Sequence, residues 1–301
     1  MRDRIDGIVR RGILPVAVAL VLSAGAASSG GGDGDGGDGG SHKGSAKAYP
    51  GRGDGRIDPR TATALVAVEK ATAEAGSARI ESTTAMGGML AVRTDGALSW
   101  SGPSIGTLRF TWTGGRLAET MRALNDTSME ARLLPDAYYT RVGAAFARRL
   151  NGRHWIKYAY DDLAPLSGGS RAYLPGRLRN ASPIQPVRLL LAAGDTHRVG
   201  TERVSGRSTT HYSGTVTTAS LTGADTAGLK AQLEQAEVGK ETVDIWVDDH
   251  NLLVKKTEQG ELASGRMSAT ACYRAYGVKV SATEPPAADT ADFKELMSTQ
   301  W

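Results

Sequence analysis

The sequence predicts an α+β fold built around one large antiparallel sheet. Three observations predict it. Several segments alternate apolar and polar residues, glycine-bearing dipeptides suited to tight turns stand between them, and the helical stretches are gathered at a few places instead of following every strand. Strands in sequential hairpins pair antiparallel, so the sheet should be a meander interrupted by helical excursions.

The first element of the folded part is a helix. Asp58 suits its N-cap and Pro59 its first turn, where a missing N–H costs nothing. Leu65, Val68, Thr72 and Ala75 recur at helical spacing, and Gly76 can take the left-handed stop. Asp95-Gly96, Gly114-Gly115 and Asn151-Gly152 then read as two-residue hairpin turns, because both central positions of such a turn need positive φ. Between the first two, residues 107–113 alternate cleanly and place Leu108, Phe110 and Trp112 on one face. A short apolar helix over residues 185–193 stops at Gly194. A strand follows through Val199, turns at Ser205-Gly206-Arg207 and returns through His211 and Tyr212. A second helix is expected over residues 225–236, with Leu229, Leu233 and Ala236 on one stripe. A strand follows over residues 243–247, then a polar turn at Asp248-Asp249-His250-Asn251, and a closing helix near residues 291–297.

Residues 1–27 read as an export signal. Arg2, Arg4, Arg10 and Arg11 make a basic start, residues 13–22 an apolar core, and Ala24-Gly25-Ala26 a small-residue cleavage region. An apolar core of this length falls short of the ~20 residues that a membrane-spanning helix requires. Residues 28–57 are rich in Gly, Asp and Ser and have little to bury, so they read as a tether. The Arg52-Gly53-Asp54 tripeptide within them is read as coincidence. Residues 58–301 are enough for one domain with a single core. The expected location is extracytoplasmic, at the outer face of the cell membrane or in the wall.

Net charge is +4, of which the leader supplies +2 and residues 28–57 nothing, leaving +2 for the domain. That is too little to argue for nucleic acid, and no recognition motif supports it. The charge is uneven, however. Residues 141–188 hold nine Arg or Lys against Asp161 and Asp162. Arg141, Arg148, Arg149, Arg153, Arg171, Arg177 and Arg179 either solvate a sheet face or meet an anionic membrane surface. Cys272 is the single cysteine, which excludes an intramolecular disulfide and reads as a buried thiol.

Little in the chain points to catalysis. Gly102-Pro103-Ser104-Ile105-Gly106 matches the G-x-S-x-G pattern, but the nucleophile elbow needs a helix directly after the serine, and here a strand follows. His42, His154, His197, His211 and His250 are isolated, and no H-x-x-x-H or C-x-x-C pair occurs. Asp248-Asp249-His250 clusters metal-ligand types but reads as turn chemistry. The expectation is a non-enzymatic chain that needs no cofactor or metal.

Taken together, certain segments resemble the LppX/LprA/LprF/LprG family of actinobacterial envelope lipoproteins, which share the LolA-like fold. The resemblance spans about residues 80–297. It rests on Asn151-Gly-Arg-His-Trp-Ile-Lys157, Leu189-Leu-Leu-Ala-Ala-Gly-Asp195, Val199-Gly-Thr-Glu202, Thr210-His-Tyr-Ser-Gly-Thr-Val216, Ile245-Trp-Val-Asp-Asp249 and Pro285-Pro-Ala-Ala-Asp-Thr290, in that order and spacing. It implies a strongly curved half-barrel with helices packed across the concave side. It also implies an apolar cavity that takes the acyl chains of a lipid or other amphiphile, in a chain that acts as a monomeric binder or carrier. Burial of a methylene contributes ~0.8 kcal/mol, so a long acyl chain offers on the order of 10 kcal/mol before ordering costs. Leu108, Phe110 and Trp112 either line that cavity or form plain core beneath a helix. RseB-like regulatory domains share the fold and contact a partner protein, which supplies the alternative of a sensor or interaction module. The family's lipobox cysteine is not found where it would stand, at Gly25, Ala26 or Ala27.

Overall fold

The computed structural model describes residues 57–163, 183–219, 221, 230, 239–262 and 265–298. The export signal, the tether, the helix expected over residues 225–236, and Arg171, Arg177 and Arg179 lie outside the described residues.

The first helix, α1 (Pro59–Ala75), forms where its caps dictate. Asp58 accepts from the backbone N–H of Arg60 and Thr61, and Gly76 closes the helix at φ +66°. Its Leu65, Val68 and Thr72 are buried. Three long strands follow: β1 (Ser77–Met86), β2 (Leu90–Ser99) and β3 (Ile105–Gly114). Helix α2 (Gly115–Ala123) leads into β4 (Ser128–Leu133) and β5 (Ala137–Arg141). A short turn of helix α3 (Ala144–Ala147) and a 3-10 turn (Arg148–Leu150) precede β6 (Trp155–Ala159) and α4 (Tyr160–Leu163). After these come α5 (Gln185–Ala192), the hairpin β7 (His197–Val204) and β8 (Arg207–Thr217), then β9 (Lys240–Val247), β10 (Leu253–Leu262) and β11 (Gly265–Arg274). The 3-10 turn Ala287–Asp289, β12 (Thr290–Asp292) and α6 (Phe293–Ser298) end the described chain.

All twelve strands among the described residues lie in one sheet, in the order β12-β6-β5-β4-β3-β2-β1-β11-β10-β9-β8-β7. Two meanders therefore run outward from the middle, where the first strand meets the eleventh with Ile80 opposite Tyr273 and Met86 opposite Met267. Every pairing is antiparallel except that of β12 with β6. An open sheet of this many strands curls rather than staying flat, and the sheet is strongly curved, as the fold class predicts.

Side chains alternate across it. Leu90, Val92, Thr94 and Leu98 of β2, and Leu108, Phe110 and Trp112 of β3, are buried on the inner face, whereas Arg93, Asp95, Thr107 and Arg109 are exposed. Helix α5 sits against this inner face. A Cβ on Gly214 of β8 would lie 2.9 Å from Leu190 Cδ2 and 2.5 Å from Thr196 Oγ1. Helix α1 packs on α5, tied by the Arg188–Glu69 ion pair at 2.6 Å.

At the other end, Tyr138 stacks on Tyr158 with ring centroids 4.6 Å apart, and Phe293 of α6 tilts onto Tyr158 at 4.9 Å. Burial pushes the phenols of Tyr138, Tyr158, Tyr273 and Tyr276 well above their ordinary range. These groups are neutral when protonated. Their contribution is complete below the unfolded tyrosine pKa of ~10 and is lost as pH rises toward the higher folded values. Urea denaturation is expected to show stability falling steeply above about pH 10, by about 1.4 kcal/mol per pH unit for each phenol that stays protonated. A flat profile to pH 12 would contradict this packing.

Four sequence expectations are corrected here. Asp95-Gly96 is not a turn, because β2 runs straight through it. A Cβ on Gly96 would stand 2.2 Å from the Thr107 carbonyl oxygen, so the glycine serves close strand approach. Gly114-Gly115 switches β3 into α2 and joins no strand pair; Gly115 at φ +80° lies against the backbone of Met89. Asn151-Gly152 does turn with positive φ at both positions, but it links a 3-10 turn to β6. In residues 291–297 the helix begins only at Phe293, because Thr290, Ala291 and Asp292 pair in parallel with Trp155, Ile156 and Lys157. The hairpin turn at Ser205-Gly206 forms as expected, with φ of 51° and 82°.

Candidate functional site on the inner face of the sheet

The register places two rows of side chains next to each other across the inner face. In one, Val243 of β9 is followed by Glu258, Ala269, Thr84, Val92 and Trp112 on β10, β11, β1, β2 and β3. In the other, Ile245 is followed by Lys256, Ala271, Ser82, Thr94, Phe110 and Met129, the last on β4. The middle of both rows is made of small side chains. Their β10 end is charged and their β3 end aromatic.

Glu258 is 2% exposed and accepts from Lys256 Nζ through Oε1 at 2.7 Å. Its second oxygen, Oε2, is buried and has no hydrogen-bond partner among the described residues, and the same holds for Thr94 Oγ1 and Trp112 Nε1. Glu241, also buried, lies diagonally across at the register of Gly260. Leaving a buried acceptor unpaired costs about 1–3 kcal/mol, and a buried ion pair is often no more stabilising than an apolar pair of similar volume. Stability alone therefore gives no reason for this arrangement.

Leu108, Phe110 and Trp112, the residues singled out from the sequence, all lie on this face and are 0%, 0% and 5% exposed. Sequence reading missed Glu258, Lys256 and Thr94. The β10 segment Lys255-Lys256-Thr257-Glu258 is charged at both parities, so its alternation is hidden.

No protein-family profile matches the chain. A Streptomyces coelicolor protein named "Putative lipoprotein SCO4650" is 49% identical over 296 residues, covering 97% of each chain. The chain belongs to the SCO4650 family. A Streptomyces griseus relative, an uncharacterized 31.2 kDa protein encoded between rplA and rplJ, is 43% identical over 242 residues, or 78% of this chain and 79% of the relative. Among solved structures, LprF from Mycobacterium bovis superposes with a TM-score of 0.50 at 14% identity, over 76% of this chain and 98% of LprF. The LprF likeness is one of fold, and the fold is the half-barrel that the sequence resemblance implies.

Other candidates in this SCO4650 relative resolve into structure. Ser104 is buried in the loop between β2 and β3, and strand β3 follows it where an elbow would need a helix. Asp248 holds its hairpin: Oδ1 accepts from the backbone N–H of His250 and Leu252, and Oδ2 from Arg207 at 3.0 Å. Asp248, Asp249 and His250 do lie close enough to group around an ion, but these turn bonds and Arg207 occupy the Asp248 carboxylate.

Among the described residues, His154, His197 and His211 lie away from the inner face, and His42 lies outside the described residues. His211 stacks on Trp246 at 4.3 Å with Asp244 at 2.9 Å and Glu202 at 3.3 Å. His154 bonds Asp289 at 2.8 Å, and that bond holds the Asp289 carboxyl below the usual range. Cys272 corrects another expectation. It lies half-buried on the convex side, not in the core, and burial pushes its thiol up. Arg141, Arg148, Arg149 and Arg153 gather on β5 and the connection to β6, and the first three are exposed. Among the described residues no helix is long and apolar enough to cross a membrane.

Proposed function

We propose that the chain is an extracytoplasmic, non-enzymatic binding protein that holds a lipid or other amphiphile between its sheet and the helices over the inner face. The observation that carries this reading is the inner face itself. It is continuous, apolar over most of twelve strands, and lined at its centre by Ser82, Thr84, Ala269 and Ala271, where a solid core would use larger side chains. Leu108, Phe110 and Trp112 line the ligand's path at the far end of this lane. The name of the S. coelicolor relative and the fold shared with LprF support an envelope setting. Residues 1–27 act as the export signal and residues 28–57 as the tether of the domain.

The reading is tested by incubating the full chain with vesicles containing a fluorescent fatty acyl lipid and separating protein from vesicles. Transfer of about one lipid per chain is expected; no transfer would overturn the reading. Exposed Arg141 and Arg148 bring the protein to anionic membranes in this account. Reversing both to glutamate is expected to weaken binding to vesicles rich in phosphatidylglycerol at least tenfold, since each cation near such a surface contributes about 1 kcal/mol. Unchanged binding in a co-sedimentation assay would remove membrane docking from the proposal.

A second reading, an interaction module acting through a partner protein, is favoured by β7. This last strand of the sheet is exposed on both faces, with Val199 41% exposed, and a partner strand could pair with its edge. Such a module would leave the vesicle lipid where it was.

A further inference from the structure

We infer that the ligand's polar group enters the fold and hydrogen-bonds to Glu258, so that the protein selects amphiphiles bearing a hydroxyl or amino donor over purely acyl ones. This deepens the proposed binding function and rests on it.

The inference starts from two independent observations at one place. The first is the lane of small side chains: Ala269 and Ala271 on β11, then Ser82 and Thr84 on β1, lie directly between Glu258 and Lys256 on β10 and Val92 and Thr94 on β2. Small side chains there project less far from the sheet than the Leu, Phe, Trp and Tyr at neighbouring positions. The second is the set of unpaired polar atoms at the ends of that lane. Glu258 is 98% buried by its 2% exposure, and its Oε2 is an acceptor with no donor among the described residues. Across the lane, Trp112 Nε1 is a donor with no acceptor among the described residues, and Thr94 Oγ1 likewise has no partner among them.

Chemical complementarity then describes the occupant. A carboxylate oxygen only accepts, so the group beside Glu258 must donate. An indole N–H only donates, so the group beside Trp112 must accept, as an ester or amide carbonyl does. The two ends are separated by four strand spacings, about 19 Å at roughly 4.8 Å each, enough for hydrocarbon between them. Lys256 donates to Oε1 at 2.7 Å, and Oε2 stays without a donor among the described residues. An ester whose acyl chain carries a hydroxyl or amino group near its far end fits this pattern. A plain alkyl ester satisfies only the Trp112 end.

The test compares two probes with the same chain and the same ester carbonyl: methyl 16-hydroxyhexadecanoate, whose hydroxyl lies a full chain length from the ester, and methyl hexadecanoate, which has no hydroxyl. The full chain is expected to take up methyl 16-hydroxyhexadecanoate at least tenfold more tightly, the value of one hydrogen bond to a charged group. The double variant Lys256→Met with Glu258→Leu, checked for folding by circular dichroism and thermal melting, is expected to bind the two probes equally. Equal binding of both probes by the unaltered protein would overturn this inference and leave the carrier function standing. That comparison decides even if the double variant fails to fold. Uptake of neither probe would overturn both.

Discussion

Replacing Gly96 with valine is expected to destabilise the protein by more than about 4 kcal/mol, the range reserved for backbone conflict in a packed core. The position has no freedom to adapt. A Cβ there would fall 2.2 Å from the Thr107 carbonyl oxygen and 2.9 Å from the Leu108 Cα, and both contacts are with the backbone of the neighbouring strand. Relief would require β2 and β3 to separate, at the register where Gly96 faces Leu108. That separation would also displace Leu108 and Phe110, so loss of lipid uptake should accompany the loss of stability. Gly102 provides the control. Nothing lies within 4 Å of a Cβ at that position, so Gly102→Ala should stay within about 0.5 kcal/mol of the parent. Urea denaturation of the two variants would check both, and a Gly96→Val protein as stable as the Gly102 control would contradict the sheet register.

The second large effect concerns the charges on the inner face. Lys256→Met alone leaves Glu258 as a buried carboxylate without its cation, and a loss of about 3–5 kcal/mol is expected. Adding Glu258→Leu should restore most of that loss or exceed the parent, because two apolar side chains need neither charge desolvated. The recovery is the informative quantity. It would show that the pair is kept at no gain in stability, as expected of a group retained to meet a ligand. If the single variant were as stable as the parent, Glu258 would not depend on Lys256 and the site as described would fail.

Some of this was legible in the sequence for clear physical reasons. Helix α1 could be bounded to the residue because its ends are chemical: an Asp side chain accepting two backbone N–H groups and a glycine at positive φ. Strand β3 could be read because one face is oily and the other polar, which places Leu108, Phe110 and Trp112 together. The glycine dipeptides were misread because the same residue serves a turn or a close approach. The choice at Gly96 is made by Thr107, on a strand that has not yet formed when the local pattern is read. Strand β12 left no pattern at all: its three residues pair with β6, far back in the chain, and Asp292 then caps α6 by accepting from Lys294 at 2.8 Å. Glu258 escaped because adjacent charges on β10 face opposite sides, and only the pairing of β10 with β11 and β9 shows which is buried.

The C-terminal segment shows the same dependence on long-range contacts. Arg132 lies over the Trp155 ring at 4.5 Å and donates to the Thr283 carbonyl, which holds the segment after β11 across the convex face. Burial there, with the Glu284 carboxylate close by, raises the Tyr139 phenol to about 12. These contacts cover part of the convex face with the segment after β11.

The central claim is that this inner face holds an amphiphile. Its most direct test is organic extraction and mass spectrometry of the protein purified, without added lipid, from the cells that make it. The account predicts about one amphiphile per chain, with a free hydroxyl or amino group. An empty protein that also takes up no lipid from vesicles would contradict it.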